Sequence, residues 1–217
     1  MACVIALLAG CVQWSAHDDR LVRVELLALM QTLNAELLSH DSATLTLERW
    51  CADHRLAQPA KILARRMRDV AKPIPDDLRA RLALGPADTI AYRRVQLVCG
   101  DRVLSEADNW YVRSRLTAEM NHTLETTDEP FGKVVKALDF RRRTLSAELL
   151  WSPLPSGWEM SANALPATSR EALTMPHAVL RHQAILYDAA QQPFSALVET
   201  YTSEVFVFSE FGNRQTP

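Results

Sequence analysis

Two charged residues lie inside otherwise apolar segments that have the composition of β-strands. Arg94 lies in the run at 92–99 (Y-R-R-V-Q-L-V-C), and Glu199 lies in the run at 197–201 (L-V-E-T-Y). Burying a cation or an anion costs free energy unless the charge is paired or given a polar ligand. A guanidinium suits a planar carboxylate, and a glutamate can accept a hydrogen bond or take a proton. We therefore predict that Arg94 and Glu199 face one buried site from different strands.

Other interpretations of these residues stay open. Arg94 could form a structural ion pair, with Glu199 itself as one candidate partner, and Glu199 could lie on an exposed edge strand. The neighbouring Arg93 points to the opposite face of the same strand because side chains alternate along a strand, so only one of the two arginines can line a cavity. The basic run at 141–143 is predicted to be the solvated start of a strand rather than an anion-binding patch.

Arg94 and Glu199 belong to two predicted hairpins. The first turns at Gly100 and Asp101 and the second at 188–193, and short turns between strands imply antiparallel pairing. We predict an α+β fold in which a single antiparallel sheet carries helices on one face. The predicted strands are 61–67, 89–99, 103–112, 144–151, 178–187 and 194–206, and the predicted helices are 21–38, 45–54, a short one from 75, 115–126 and 131–138.

Size and composition favour one domain with a full core. The chain has 217 residues, 48% of them hydrophobic, and a formal net charge of -2. This balance lacks the basic bias of nucleic-acid-binding proteins, and no apolar run is long enough for a transmembrane helix. The sequence has no Gly-rich phosphate loop and no His/Cys cluster with zinc spacing, so we predict no cofactor and no metal. No oligomeric state follows from it.

The first residues resemble a targeting segment. Residues 1–10 are apolar, and the run at 8–11 has the small-residue pattern of a bacterial lipoprotein cleavage site, which would make Cys11 a lipid anchor. No Lys or Arg precedes Arg20, so the segment could instead be a degenerate signal, the product of a start further upstream, or the first turn of a helix. We favour a leader at 1–17, a domain at 18–217 and export to the periplasm; otherwise the protein is cytoplasmic.

Cys51 and Cys99 remain in the domain once Cys3 and Cys11 are assigned to the leader. An even pair in an oxidising compartment is typical of a disulfide, and bridging requires Cα atoms within about 7 Å. The alternative is two buried free thiols, which behave as small hydrophobic side chains. We predict that the two cysteines come close enough to bridge.

The chain resembles the chorismate lyase family and, more distantly, the UTRA-like ligand-sensing domains of bacterial transcription regulators. The resemblance covers roughly 37–206 and is carried by the Arg94 strand, the E-P-F-G turn at 129–132, the L-V-E-T-Y strand and the L-L-S-H-D-S-A-T segment at 37–44. It implies a highly curved antiparallel sheet whose helices cover an internal ligand cavity.

The resemblance also implies a chemistry and its residues. Chorismate lyases are carbon–oxygen lyases that convert chorismate to 4-hydroxybenzoate and pyruvate. The motif assigns Arg94 rather than Arg93 to a substrate carboxylate and Glu199 to the ring hydroxyl or the transferred proton. Backbone amides at Ala43 and Phe131 would complete the ligand contacts.

The chain departs from the family at three places. Phe131 replaces an aliphatic residue, Ala43 replaces a larger apolar one, and Asn109 stands where the enzymes carry an arginine, with Glu106 and Asp108 close by. If either acid faced inward, the cavity would suit dianionic chorismate less well. Two functions follow: a chorismate lyase-like enzyme, which we favour, or a non-catalytic exported module that binds a small aromatic or cyclic carboxylate.

Overall fold

The computed structural model describes residues 16–68, 70–160 and 173–208. The predicted leader with Cys11 lies outside these residues, except for the two positions that begin α1. The described helices are α1 (Ala16–Leu38), α2 (Ala43–Asp53), α3 (Asp76–Arg81), α4 (Ala118–Thr126) and α5 (Phe131–Val134). In this part of the chain, no helix has both the length and the apolar character needed to cross a bilayer.

The described strands form one open antiparallel sheet of six strands in the order β1-β2-β3-β6-β5-β4. This confirms the predicted fold class. The β2–β3 and β5–β6 hairpins meet at the centre, because β3 pairs with β6. The strands are β1 (Ile62–Met67), β2 (Ile90–Cys99), β3 (Arg102–Val112), β4 (Arg141–Leu149), β5 (Ala178–Tyr187) and β6 (Pro193–Thr202).

The inner face of the sheet is covered by α1, α2, α4 and α5. Apolar residues at helical spacing along α1 bury one stripe of that helix against the sheet and α2. The short helix α3 lies on the outer face, where Leu78 packs with Trp110, Ile185 and Ala196. Most of the helical cover therefore lies on one face, and the inner face has room for a site beneath it. The buried residues of the α1 stripe are Leu26, Met30, Leu33 and Leu37.

The β2–β3 hairpin turns at Gly100, as predicted, with a φ of +58°. Only glycine adopts this conformation freely, and a Cβ there would lie 2.8 Å from the Cβ of Ala57. Directly before the turn, Cys99 forms a disulfide with Cys51 of α2, with Cα atoms 6.6 Å apart. The predicted bridge is confirmed, and it fastens α2 to the end of β2.

Candidate functional site

A cavity lies between the inner face of the sheet and the starts of α2 and α5. It contains about 490 Å³ of empty space, part of it open to solvent. Much of its wall is apolar, which suits the body of a small organic molecule. The apolar wall residues include Val95, Leu97, Ala107, Phe140, Leu186 and Leu197.

Arg93 supplies a positive charge to this wall. Strand alternation places Arg93 on the same face of β2 as Val95 and Leu97, and Arg93 is only 4% exposed. Its Nη2 donates to the carbonyl oxygen of Glu129 at 3.0 Å, whereas Nε and Nη1 have no hydrogen-bond partner among the described residues. Burial, with a smaller effect from Arg66, lowers the pKa of Arg93 to about 10, so it remains charged at neutral pH. The cavity therefore contains a buried cation with two free donors.

The prediction that Arg94 lines the cavity is wrong. Arg94 lies on the outer face of β2, where its guanidinium contacts Glu106 at 3.4 Å and Asp108 at 3.6 Å. Neighbouring residues of a strand face opposite sides of the sheet, so Arg94 must face outward if Arg93 faces the cavity. Arg94 forms outer-face ion pairs, and its pairing with Glu199 is excluded by the same geometry. The inward arginine of β2 is Arg93.

Asn109 lies directly beside Arg93, as its cross-strand partner on β3. The Ser195 hydroxyl donates to Asn109 Oδ1 at 2.6 Å, and Asn109 Nδ2 has no partner within the described part of the chain. The two flanking acids, Glu106 and Asp108, face outward and pair with Arg94. They do not place negative charge in the cavity, and the polar group that β3 contributes to the wall is the side-chain amide of Asn109.

Glu199 lines the opposite part of the cavity and is neutralised there. Its Oε2 lies 2.5 Å from an Arg142 guanidinium nitrogen and accepts a hydrogen bond from the Tyr201 hydroxyl at 3.2 Å. Burial alone would lower the pKa of Arg142, but the charge of Glu199 outweighs it and the pKa is raised. Burial and Glu199 raise the pKa of Tyr201 well above its usual value, so the phenol stays neutral and donates. Oε1 of Glu199 accepts none of the hydrogen bonds found among the described residues.

Arg142 was missed by the sequence analysis, which predicted a solvated run at 141–143. The outer two arginines are exposed, but the Arg142 side chain is only 3% exposed and lines the cavity. The alternation of side chains along β4 could have indicated this, because the middle one of three consecutive strand residues faces the side opposite to its two neighbours. Its partner was not predictable, because Glu199 lies 57 residues away in the chain.

The starts of α2 and α5 bring Ala43 and Phe131 to the cavity wall. Ala43 is the first residue of α2, so its N–H has no acceptor inside the helix and lies at the positive end of the helix dipole. Gly132 permits the close approach of the two helices, because a Cβ there would lie 2.9 Å from Ser42 Oγ. Ala43, Phe131 and Glu199 thus share one cavity, and their contacts with a ligand stay a prediction.

The described residues contain no group of three or more His, Cys, Asp or Glu side chains that could hold a metal ion. The cavity brings together an arginine with free donors, an amide, a helix start and a neutralised carboxylate. Such a set has the donors to bind and orient an oxyanion and an acceptor for one further hydrogen bond.

Solved structures similar to this chain include that of a possible regulator of transcription. The possible transcriptional regulator YydK from Bacillus subtilis subsp. subtilis str. 168 is 17% identical, with 66% of this chain and 59% of that chain covered and a TM-score of 0.39. PhnF from Mycobacterium smegmatis is 11% identical, with 77% and 66% covered and a TM-score of 0.47. This chain thus spans less than two thirds of the length of either protein.

A protein relative gives a stronger match. Protein y4mC of Sinorhizobium fredii (strain NBRC 101917 / NGR234) is 56% identical over 197 residues, which are 90% of this chain and 82% of that protein. No protein-family model matches the chain. Identity at this level over most of both chains shows common descent, and the chain belongs to the same family as y4mC.

Proposed function

We propose that this protein binds a small aromatic or cyclic carboxylate in the cavity, with the carboxylate on Arg93. The observation that carries the proposal is the nearly complete burial of Arg93 while its Nε and Nη1 remain without partners among the described residues. A buried charge without a counter-charge is costly, and a carboxylate ligand would remove that cost through two charge-assisted hydrogen bonds.

The rest of the cavity supports a ring-sized ligand. Arg93 and Glu199 are separated by one intervening strand and two residues of register. With strands about 4.8 Å apart and a rise of about 3.3 Å per residue, their Cα atoms lie about 12 Å apart. The wall between the two positions includes apolar residues such as Leu197, which suit the body of a ring. Glu199 Oε1 is then available to a hydroxyl at the far end of the ligand.

Turnover of chorismate to 4-hydroxybenzoate and pyruvate is the second candidate function. It is favoured by the presence of a guanidinium and a carboxylate in one cavity, the pair that this lyase chemistry requires. Oε2 of Glu199 is already occupied by Arg142 and Tyr201, so any proton transfer would fall to Oε1. Binding requires less of the site than turnover does, and we place it first.

Calorimetric titration with 4-hydroxybenzoate tests the binding proposal. Arg93→Met removes two charge-assisted hydrogen bonds and should weaken binding by about a hundredfold. The matched control is Arg94→Met, the neighbouring arginine on the outer face, which should change the affinity by less than about twofold. Equal losses in the two variants, or unchanged binding by Arg93→Met, would contradict the proposal. Incubation with chorismate, followed by the absorbance of 4-hydroxybenzoate, tests the lyase candidate separately.

A further inference from the structure

The ionisable residues in the cavity wall are largely matched to one another. Arg142 is paired with Glu199. Asp41, which also lines the cavity, is paired at 3.1 Å with Arg141, which does not. Among the described wall residues this leaves Arg93 as the charge without an ion-pair partner, although the more distant carboxylate of Asp128, which is not a wall residue, acts on it. The site therefore carries one unit of positive charge that a ligand can neutralise.

We infer that the cavity is selective for monoanions, and that Asn109, held in place by Ser195, is the residue that sets this selectivity. The inference rests on the proposed function, because it specifies the ligand class of the same cavity. The ligand is a molecule with one carboxylate and an otherwise uncharged body.

The orientation of Asn109 makes it part of the anion site. Ser195 donates its hydroxyl hydrogen to Asn109 Oδ1, so Oδ1 is committed to that side and the amide donor, Nδ2, lies on the other. Asn109 and Arg93 are cross-strand neighbours with Cα atoms about 5 Å apart. Nε and Nη1 of Arg93 and Nδ2 of Asn109 are all buried donors without partners among the described residues. Together they provide three hydrogen bonds to one carboxylate, whose two oxygens offer about four acceptor positions.

A second carboxylate would find no second unpaired cation in the described wall. The other cation of the described wall, Arg142, is already paired with Glu199. The remaining wall is formed by apolar residues, by the hydroxyls of Ser42 and Thr44 and by the carboxylate of Asp41. A second negative charge would lose its hydration there without gaining a cation. An amide at position 109 contributes a donor but no charge, so it supports the first carboxylate and does nothing to balance another.

Two probes of matched shape test the charge selectivity. 4-Nitrobenzoate and benzene-1,4-dicarboxylate have nearly the same size, but the first is a monoanion and the second is a dianion at pH 8. Calorimetry on the wild-type protein should show at least about tenfold tighter binding of 4-nitrobenzoate, since an uncompensated charge is costly to bury. Equal or tighter binding of the dicarboxylate would overturn the inference while leaving the proposed function standing. If neither probe binds, the proposed function fails and the inference fails with it.

Variants of the amide test its role. Asn109→Leu removes one hydrogen bond to a charged group and should weaken 4-nitrobenzoate binding by about tenfold or more. Ser195→Ala deletes a single hydroxyl, releases the amide and should weaken binding several-fold, which keeps the test valid if the leucine variant does not fold. Asn109→Asp preserves the size of the side chain and the acceptor for Ser195, but it neutralises Arg93 and should abolish binding at pH 8. Wild-type affinity in the Asp variant, or in both of the others, would overturn the assignment.

Discussion

The buried ion pair between Arg142 and Glu199 should show a strong energetic coupling. Their side chains are 3% and 7% exposed, so removal of one partner leaves the other charge buried and unpaired. We expect Arg142→Met and Glu199→Gln each to lower the free energy of unfolding by about 3–5 kcal/mol. In the double variant no uncompensated charge remains, and the substituted glutamine side chain still accepts from Tyr201, so the loss should be only about 2 kcal/mol. The coupling between the two sites would then be about 4–8 kcal/mol.

Urea denaturation followed by circular dichroism measures this cycle, with equal m-values as the check that each variant unfolds in the same way. Arg141→Met is the matched control, because the neighbouring Arg141–Asp41 pair is exposed, with side chains that are 63% and 38% accessible. Exposed pairs contribute about 0–1 kcal/mol, so this variant should be nearly neutral. The reasoning is refuted if Arg142→Met costs no more than Arg141→Met, or if the loss in the double variant equals the sum of the two single losses.

Three further measurements test other parts of the structure. Reduction of the Cys51–Cys99 bridge, which spans 48 residues, should lower the free energy of unfolding by about 4 kcal/mol; an unchanged denaturation midpoint with reductant would contradict this. Burial, with Arg142 close by, lowers the pKa of His182 to about 4. Between about pH 6.5 and 4 the unfolded chain therefore binds more protons than the folded one. The free energy of unfolding should fall as the pH is lowered through this window, and it should fall more steeply in the wild-type protein than in His182→Gln. Gly132→Ala should weaken 4-hydroxybenzoate binding several-fold in calorimetry, because its Cβ meets the cap of α2, whereas Gly85→Ala, with only an ordinary contact, should not.

Much of the fold could be predicted because its signals are local. The turn at Gly100 and the alternation of apolar residues fixed the first hairpin, and β5 begins and ends where the sequence predicts. The prediction failed at the end of β6, where a strand was expected to continue to residue 206. There the hydroxyl of Thr202 accepts a hydrogen bond from the N–H of Glu204 and starts a short 3-10 helix instead. A side-chain hydroxyl that accepts from a nearby backbone N–H competes with the hydrogen bonds between strands. The pattern of apolar residues in the sequence does not indicate where this happens.

Three of the four predicted site residues line the candidate cavity, but the face of β2 was assigned wrongly for the fourth, Arg94. Glu199, Phe131 and Ala43 lie in one cavity, yet the short motif around Arg94 was weighted above the alternation of Arg93 with Val95 and Leu97, which gives the correct face. The Arg142–Glu199 pair lay beyond sequence reasoning for a different reason. It forms only when β4 and β6 flank β5, and that placement depends on long-range strand order.

The disulfide between Cys51 and Cys99 has a consequence for the recognition of ligands. It joins the helix whose first turn lies at one side of the cavity to the strand that carries Arg93 at the other. Two walls of the cavity are therefore covalently fastened to each other before any ligand arrives. A ligand entering such a cavity spends little of its interaction energy on ordering the protein. Without this bond the two walls would be held together only by packing, so we expect the oxidised protein to bind a ligand more tightly than the reduced one.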